Sequence, residues 1–428
     1  MPHRKCPGVF LQRLRSFAEL LTIAKPSVPT ERTRVADANS IKDLRRLAHK
    51  RAPRFVLDYL EGGAGAEDST RENLAAFSRR FLTPSVSGSV EGASLETELF
   101  GTQYAMPIGI APIGLSSLMR AEAETAGARA AESRNVPFTL STMGTRSVTE
   151  VATDAPNSQR WFQLYLRRDR NSSAQLVQRA AAAGFTTLVV TVDTRVPGRR
   201  LRDERNKLSM PPRLTGRTAF QAASKPSWAL DLMKHDAPTM SNFGPEDGNL
   251  SDVVGSMFDP ALSVDDVRWL RSLWDGPLVV KGVLSGRDAE NFLAAGADGI
   301  WVSNHGGRQL DRAISPLDAL SGIRRAVGDD VPLLLDSGIR TGVDVMTALA
   351  AGADFVFLGR AYMYGLMAGG QAGAERALDV LAAEMLNTMQ LLGAVSPAQL
   401  RAQGDAILHG ATTVTGRKPD STTVIHAN

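Results

Sequence analysis

From Pro107 onward, short and uniformly apolar runs alternate with longer stretches of helical spacing. The runs are PIGIAP (107–112), FTLS (138–141), RWFQLY (160–165), TLVVTVD (187–193), PLVVKGV (277–283), GIWVSN (299–304), PLLLDSG (332–338) and FVFLGR (355–360). Runs of this length without polar alternation predict strands buried on both faces, and stretches such as AETAGARAAESR and NSSAQLVQRAAAAG between them predict helices. Three of the helical stretches close with the same punctuation, AAAGF (181–185), AAGADGI (294–300) and AAGADFV (350–356). A glycine there caps a helix in the left-handed conformation just before the next strand begins. Eight strand–helix units predict an α/β fold, a closed parallel (β/α)8 TIM barrel, with an open doubly wound sheet as the competitor.

The flanks and one interruption define the rest. Phe10, Leu14, Phe17 and Leu21 share a helical face beside Arg13 and Arg15, a pattern for a helix that seeks a membrane surface or docks on its own protein. With Pro26 and Pro29 and few apolar residues, 22–40 reads as a linker, so 1–40 is assigned as an extension. Ile41, Leu44 and Leu47 predict a helix, and Val56, Leu57 and Leu60 a second one carrying Tyr59. The barrel domain is placed at 41–410 and a tail at 411–428. After the fourth strand, 201–262 breaks the rhythm with Pro211, Pro212, Pro226, Trp228, Leu230, Leu232, Met233, Pro238 and Phe243. An insertion of that length has three uses here: a membrane contact, a subunit contact, or a lid over the site.

Composition removes several function classes. The 428 residues are 43% apolar and 22% charged, with a formal net charge of +4 and scattered basic residues, which argues against a nucleic-acid surface. Cys6 is the only cysteine, so neither an internal disulfide nor a thiolate metal cage can form, and no metal site is expected. No uninterrupted apolar run is long enough to span a membrane, and the charged amino terminus does not read as a secretory signal.

In a parallel barrel the chemistry sits at the carboxyl ends of the strands. Those ends supply Pro112, Ile113 and Gly114; Ser141; Gln163 and Tyr165; Thr191 and Asp193, then Arg199 and Arg200; Lys281; Ser303, His305 and Arg308; Asp336, Gly338 and Arg340; and Gly359 and Arg360. DSGIR and LGR, after strands seven and eight, suit a phosphate, with glycine-freed N–H groups and the forked guanidiniums of Arg340 and Arg360. His305 is the candidate base, with Asp193 to fix its tautomer, and Gly306 and Gly307 are read as leaving space beside it. Arg308 and either Arg200 or Arg199 are placed to bind a substrate carboxylate, with Tyr59 and Tyr165 as hydroxyl donors. Lys281 suits three roles: an imine-forming lysine as in barrel lyases, stabilisation of an anionic reduced flavin, or a plain salt bridge.

SNHGGRQLD, TVDTRVPGRR, WFQLY, VKGV, DSGIR and LGR, in this order, resemble the FMN-dependent L-2-hydroxy acid dehydrogenases and oxidases, from about 40 to 395. FDPALSVDDVRWLRSLWDGPLVVKG and GRAYMYGLMAGGQAG look most like the quinone-linked L-lactate dehydrogenases of that family. The resemblance implies FMN as cofactor and oxidation of an L-2-hydroxy acid, L-lactate first, with mandelate or another bulky acid as the alternative. It implies His305, Asp193 and Lys281 as catalytic residues and Tyr59, Tyr165, Arg200 and Arg308 as substrate ligands. FMN would be held by Pro112, Ile113, Gly114, Ser141, Gln163, Thr191, Lys281, Ser303, Asp336, Gly338, Arg340, Gly359 and Arg360. Gly114 stands where many oxidases have alanine, which resembles members that pass electrons to a quinone or other carrier; Met143 stands where glycolate oxidase has tryptophan. The resemblance further implies a homotetramer in peripheral contact with the cytoplasmic face of the inner membrane, a soluble cytoplasmic protein being the alternative.

Overall fold

The computed structural model describes residues 30–207, 215–235, 240–243 and 255–410. Eight parallel strands close into a barrel: β1 (Ile108–Ile110), β2 (Phe138–Ser141), β3 (Arg160–Leu164), β4 (Thr187–Thr191), β5 (Leu278–Val283), β6 (Gly299–Val302), β7 (Leu333–Leu335) and β8 (Phe355–Leu358). Each lies within one of the eight apolar runs, and strand order follows the chain until β8 pairs with β1. No open edge remains, which is why a sheet of such short strands holds.

Alternate side chains face inward and outward. Trp161, Val189, Val279, Trp301, Leu334, Phe355 and Phe357 fill the barrel interior, with the Trp301 and Phe357 rings 3.9 Å apart. Leu99, Phe100 and Tyr104, from a ribbon formed by Thr97–Leu99 and Thr102–Tyr104, close its amino-terminal end. The opposite mouth is thereby left as the place for chemistry. Outward residues such as Phe162, Leu188 and Val280 pack under the surrounding helices. Ser147, Ser263 and Thr341 start three of these with capping boxes, and Gly184, Gly296 and Gly352 follow the ends of three, the last being the helix that Thr341 starts, at φ of +75°, +98° and +108°, as the repeated punctuation requires.

Differences from the sequence reading are local. Within the 22–40 linker a helix runs from Glu31 to Ala36, capped by Thr30 and anchored by the buried Val35. The long helix after β8, Arg360–Leu391, breaks at Gly369 and Gly370, where Val35 approaches so closely that a Cβ on Gly369 would lie 2.8 Å from it. The helix read at Phe10–Leu21 and the 411–428 tail lie outside the described residues. No helix among the described residues is long and apolar enough to cross a membrane.

The described parts of the insertion fold back on the barrel. Helices Leu201–Arg205, Gly216–Ala223 and Pro226–Met233 lie in it. Trp228 packs edge-on against Phe55 and its indole N–H donates to the Leu118 carbonyl at 2.9 Å. Asp231 meets Arg51 at 2.9 Å and Arg120 at 3.4 Å.

Candidate active site

The carboxyl ends of the strands surround a cavity of about 530 Å³, within the range of small-molecule and cofactor sites. Fifteen of the residues expected at the site line it: Tyr59, Pro112, Ile113, Gly114, Tyr165, Thr191, Arg200, Lys281, His305, Arg308, Asp336, Gly338, Arg340, Gly359 and Arg360. Four others, Ser141, Gln163, Asp193 and Ser303, stand directly behind it and are bonded to what lines it.

His305 occupies the turn after β6 at φ +57°, followed by Gly306 at +67° and Gly307 at +77°. Three successive left-handed residues turn the chain sharply enough to aim the imidazole back over the barrel mouth. Its Nδ1 lies 3.1 and 3.3 Å from the two Asp193 carboxylate oxygens, and Nε2 lies 3.4 Å from the Tyr165 hydroxyl. Asp193 reaches this position because Gly282, at the β5 bulge, has no side chain: a Cβ there would be 2.7 Å from Asp193 Cβ. The space beside His305 is that of the cavity, and the two glycines do not create it by lacking side chains. Added Cβ atoms would meet Arg360 Nη1 at 3.1 Å from Gly306 and Thr70 at 2.6 Å from Gly307. These glycines serve backbone conformation and close packing instead.

Two guanidiniums converge beside His305. Arg308 donates to the carbonyls of Tyr59 at 2.6 Å and Gly62 at 2.9 Å, and sits 5.1 Å over the Tyr59 ring. Burial, and next the charge of Arg200, push it below its ordinary value. Arg200 is held by Asp203 at 3.1 Å, whereas Arg199 points outward and pairs with Glu204, which decides between the neighbours. Burial pushes the Asp203 carboxyl up despite Arg308 and Arg200, and pushes the Tyr59 and Tyr165 hydroxyls up as well, so both phenols stay protonated donors.

At the far end of the cavity, Arg360 spends its N–H groups on the carbonyls of Leu60, Glu61, Gly62 and Gly306 and on no carboxylate. Burial, then the charges of Arg340 and Arg308, push it down to about 9. Arg360 and Arg340, partly buried and repelling each other, make this wall favourable for an anion.

Lys281, only 4% exposed, donates to Ser303 Oγ at 2.7 Å and meets Asp336 at 2.8 Å. Burial pushes Asp336 up, but the Lys281 charge and the hydrogen bonds of Lys281, Ser303 and Ser337 outweigh it and hold the carboxyl below its ordinary value. Of the roles left open for Lys281, the salt bridge is the one these contacts display. Nearby, Gln163 links Ser141 at 3.1 Å to Thr191 at 3.0 Å. The chain of hydroxyl and amide groups runs across three adjacent strands.

Sequence reasoning missed several lining residues. Ser337, at φ +77°, accepts from the Gly306 N–H at 3.0 Å and so joins the turns after β6 and β7. Gln309 binds the Asp193 carbonyl at 2.9 Å, tying the turns after β4 and β6; its place right after Arg308 was the available signal. Met257 and Phe258, at the returning end of the insertion, line the cavity, and the only sequence pointer to them was the reading of that insertion as one that could cover the site. Met257, Met240 and Leu115 form a separate apolar cluster with Met143, Tyr59, Tyr165 and Phe243.

The sequence profile of the FMN-dependent dehydrogenases matches residues 48–406. The chain belongs to that family. FMN is accordingly its cofactor, and the residues present fit the group: a cationic wall suited to a phosphate at one end and, between it and His305, buried polar side chains under a cavity of cofactor size. Among similar FMN-dependent dehydrogenases, the L-lactate dehydrogenase of Stenotrophomonas maltophilia (strain R551-3) is 46% identical over 361 residues, covering 82% of this chain and 94% of that one. That of Pseudomonas syringae pv. syringae is 44% identical over 371 residues, covering 85% and 97%. The crystal structure of the monotopic membrane protein (S)-mandelate dehydrogenase superposes with a TM-score of 0.83 at 36% identity, covering 87% of this chain and all of that one.

Proposed function

We propose that this FMN-dependent dehydrogenase oxidises an L-2-hydroxy acid, L-lactate first, to the 2-oxo acid and passes the electrons to a quinone or another carrier. The observation that carries the reading is His305, oriented by Asp193, in one cavity with Arg308 and Arg200. Arg308 and Arg200 take the substrate carboxylate, and the Tyr59 and Tyr165 hydroxyls donate to substrate oxygens. His305 Nε2 accepts the proton; Asp193 keeps the tautomer and balances the imidazolium charge. Base assistance of this kind is worth about 10²–10⁴ in rate. FMN, when bound, supplies the two-electron acceptor. Arg340 and Arg360, with the backbone at Gly338 and Gly359 and the Asp336 side chain, would hold its phosphate and ribityl chain. Ser141, Gln163, Thr191, Lys281 and Ser303 would hold its ring system, with Pro112, Ile113 and Gly114 as backbone wall.

L-lactate is favoured by the names of relatives at 44–46% identity. Mandelate is the second reading, favoured by the apolar cluster of Met143, Leu115, Met240 and Met257 beside the site and by the likeness to (S)-mandelate dehydrogenase. Anaerobic addition of L-lactate, L-mandelate and glycolate to the yellow protein separates them, since the preferred substrate bleaches the flavin fastest. No bleaching by any of the three would overturn the proposal.

Peripheral attachment to the cytoplasmic face of the inner membrane belongs to the same reading. It is supported by Phe220, on the helix Gly216–Ala223, and Leu230 and Met233, on Pro226–Met233, exposed at 77%, 52% and 72%, and by the monotopic relative. Cosedimentation with anionic vesicles, lost on Phe220→Glu with Met233→Glu, is the test; a wild-type protein that stays in the supernatant refutes it. A homotetramer, checked by light scattering, is expected from the family resemblance.

A further inference from the structure

Behind the lining of the cavity, one buried carboxyl joins the turns that follow β1 and β2. Glu124 lies in the first turn of the helix Ala123–Ser133 and is 2% exposed. One of its oxygens accepts from Ser116 Oγ and the Thr145 N–H, both at 2.7 Å. The other accepts from Thr145 Oγ1 at 2.7 Å and Ser117 Oγ at 3.2 Å. Among the described residues it forms no ion pair, so this carboxyl is not there to neutralise a cation. What it does is accept four hydrogen bonds at once, two from each turn, a capacity that only a carboxyl side chain has.

The two turns it joins form one wall of the cavity. The first carries Ile113 and Gly114, and the second carries Met143. They touch: Leu115 N–H donates to the Met143 carbonyl at 2.9 Å, and a Cβ added to Gly114 would lie 2.8 Å from Met143 Cβ. From the outside, the insertion grips the same two turns, Trp228 through the Leu118 carbonyl and Ser241 through the Thr145 carbonyl at 2.7 Å. From the barrel side the Thr145 and Ser117 hydroxyls meet at 2.5 Å, and Glu124 lies against both and adds Ser116 and the Thr145 N–H to the same joint.

We propose that Glu124 is a positioning residue: it fixes Gly114 and Met143 relative to each other and so sets the shape of the wall that faces the substrate side chain. The substrate part of this inference rests on the 2-hydroxy acid reading above; the clasp itself does not. A small shift in such a wall changes selectivity, because misplacement by about 1 Å can cost about 10²-fold in rate.

The test compares Glu124→Leu with Glu124→Gln in the FMN-loaded full-length enzyme. Glutamine keeps one acceptor for Ser116 and the Thr145 N–H, and its amide can donate to the Ser117 and Thr145 hydroxyls, which are free to turn. In Glu124→Leu, hydrogen exchange is expected to rise roughly tenfold in both 113–118 and 141–146, the scale of one lost buried hydrogen bond. The ratio of kcat/KM for L-lactate to that for L-mandelate, per bound flavin, shifts by about tenfold or more in the same variant. Glu124→Gln restores the exchange pattern and the ratio. Exchange that rises only within 123–133, with both kcat/KM values per flavin unchanged or falling by one factor, overturns the proposal. If Glu124→Leu does not fold, Ser116→Ala takes its place, since Ser116 reaches the second turn through Glu124: faster exchange in 141–146, the turn that was not mutated, supports the clasp, and unchanged exchange there refutes it. If the wild type bleaches with neither acid, the substrate reading fails while hydrogen exchange still decides the clasp.

Discussion

Asp193→Asn keeps the shape of the side chain beside His305 and removes its charge. Both Asp193 oxygens lie within 3.3 Å of His305 Nδ1, with side-chain exposures of 12% for Asp193 and 21% for His305. Once His305 has taken a proton, opposite charges stand about 4 Å apart, worth about 4 kcal/mol at an effective dielectric near 20. Residual solvent access and the neutral hydrogen bond that asparagine still accepts reduce the loss to about 2–3 kcal/mol. That is roughly 30- to 160-fold in rate. The backbone should hold, because Gln309 grips the Asp193 carbonyl and not its side chain. Anaerobic stopped-flow reduction by L-lactate gives the rate, and the visible spectrum gives the FMN content. A slowing below about threefold, less than about 0.7 kcal/mol, would refute the pairing, as would a slowing that merely tracks lost FMN.

Gly114→Ala places a methyl 2.8 Å from Met143 Cβ, an atom that cannot swing aside. It should cost about 1–3 kcal/mol in thermal unfolding and be relieved by adding Met143→Gly; an unchanged Tm would contradict the contact. Burial alone would raise Glu61, but hydrogen bonds from Arg45 and His49 outweigh it and bring it to about 2, against an ordinary 4.5. Since the folded value is the lower one, Glu61 stabilises fully above about pH 4.5, and that contribution fades as pH falls towards 2. Glu61→Gln should therefore be about 2 kcal/mol less stable than wild type near neutrality, allowing for screening, and converge with it in acid; a constant gap in denaturant titrations from pH 6 to 2.5 would refute this. Lys281→Met strands Asp336 beside two serines, with an expected loss of about 3–5 kcal/mol that Asp336→Leu in the same chain partly recovers. Additive effects of the two substitutions on urea unfolding would deny the coupling.

The barrel was legible because each strand is buried on both faces and therefore spelled in uninterrupted apolar residues. Most of the site followed, since strand order alone brings Lys281, His305, Asp336 and Arg360 to one mouth. What was not legible depended on partners distant in sequence. The helix Glu31–Ala36 buries a single apolar residue, Val35, and owes its place to the gap at Gly369. Met257 and Phe258 reach the cavity from an aperiodic loop, and nothing in AETAGARAAESR beyond its helical spacing marks Glu124 as buried. Gly306 and Gly307 were misread because a glycine that permits a positive φ and one that leaves room look identical in one dimension.

The most direct measurement is single-turnover reduction of FMN-loaded His305→Gln by L-lactate without oxygen. The yellow cofactor should remain bound while its reduction slows by at least about a hundredfold, the scale of the lost base. Reduction at close to the wild-type rate would mean that the imidazole held by Asp193 is not the group that takes the proton.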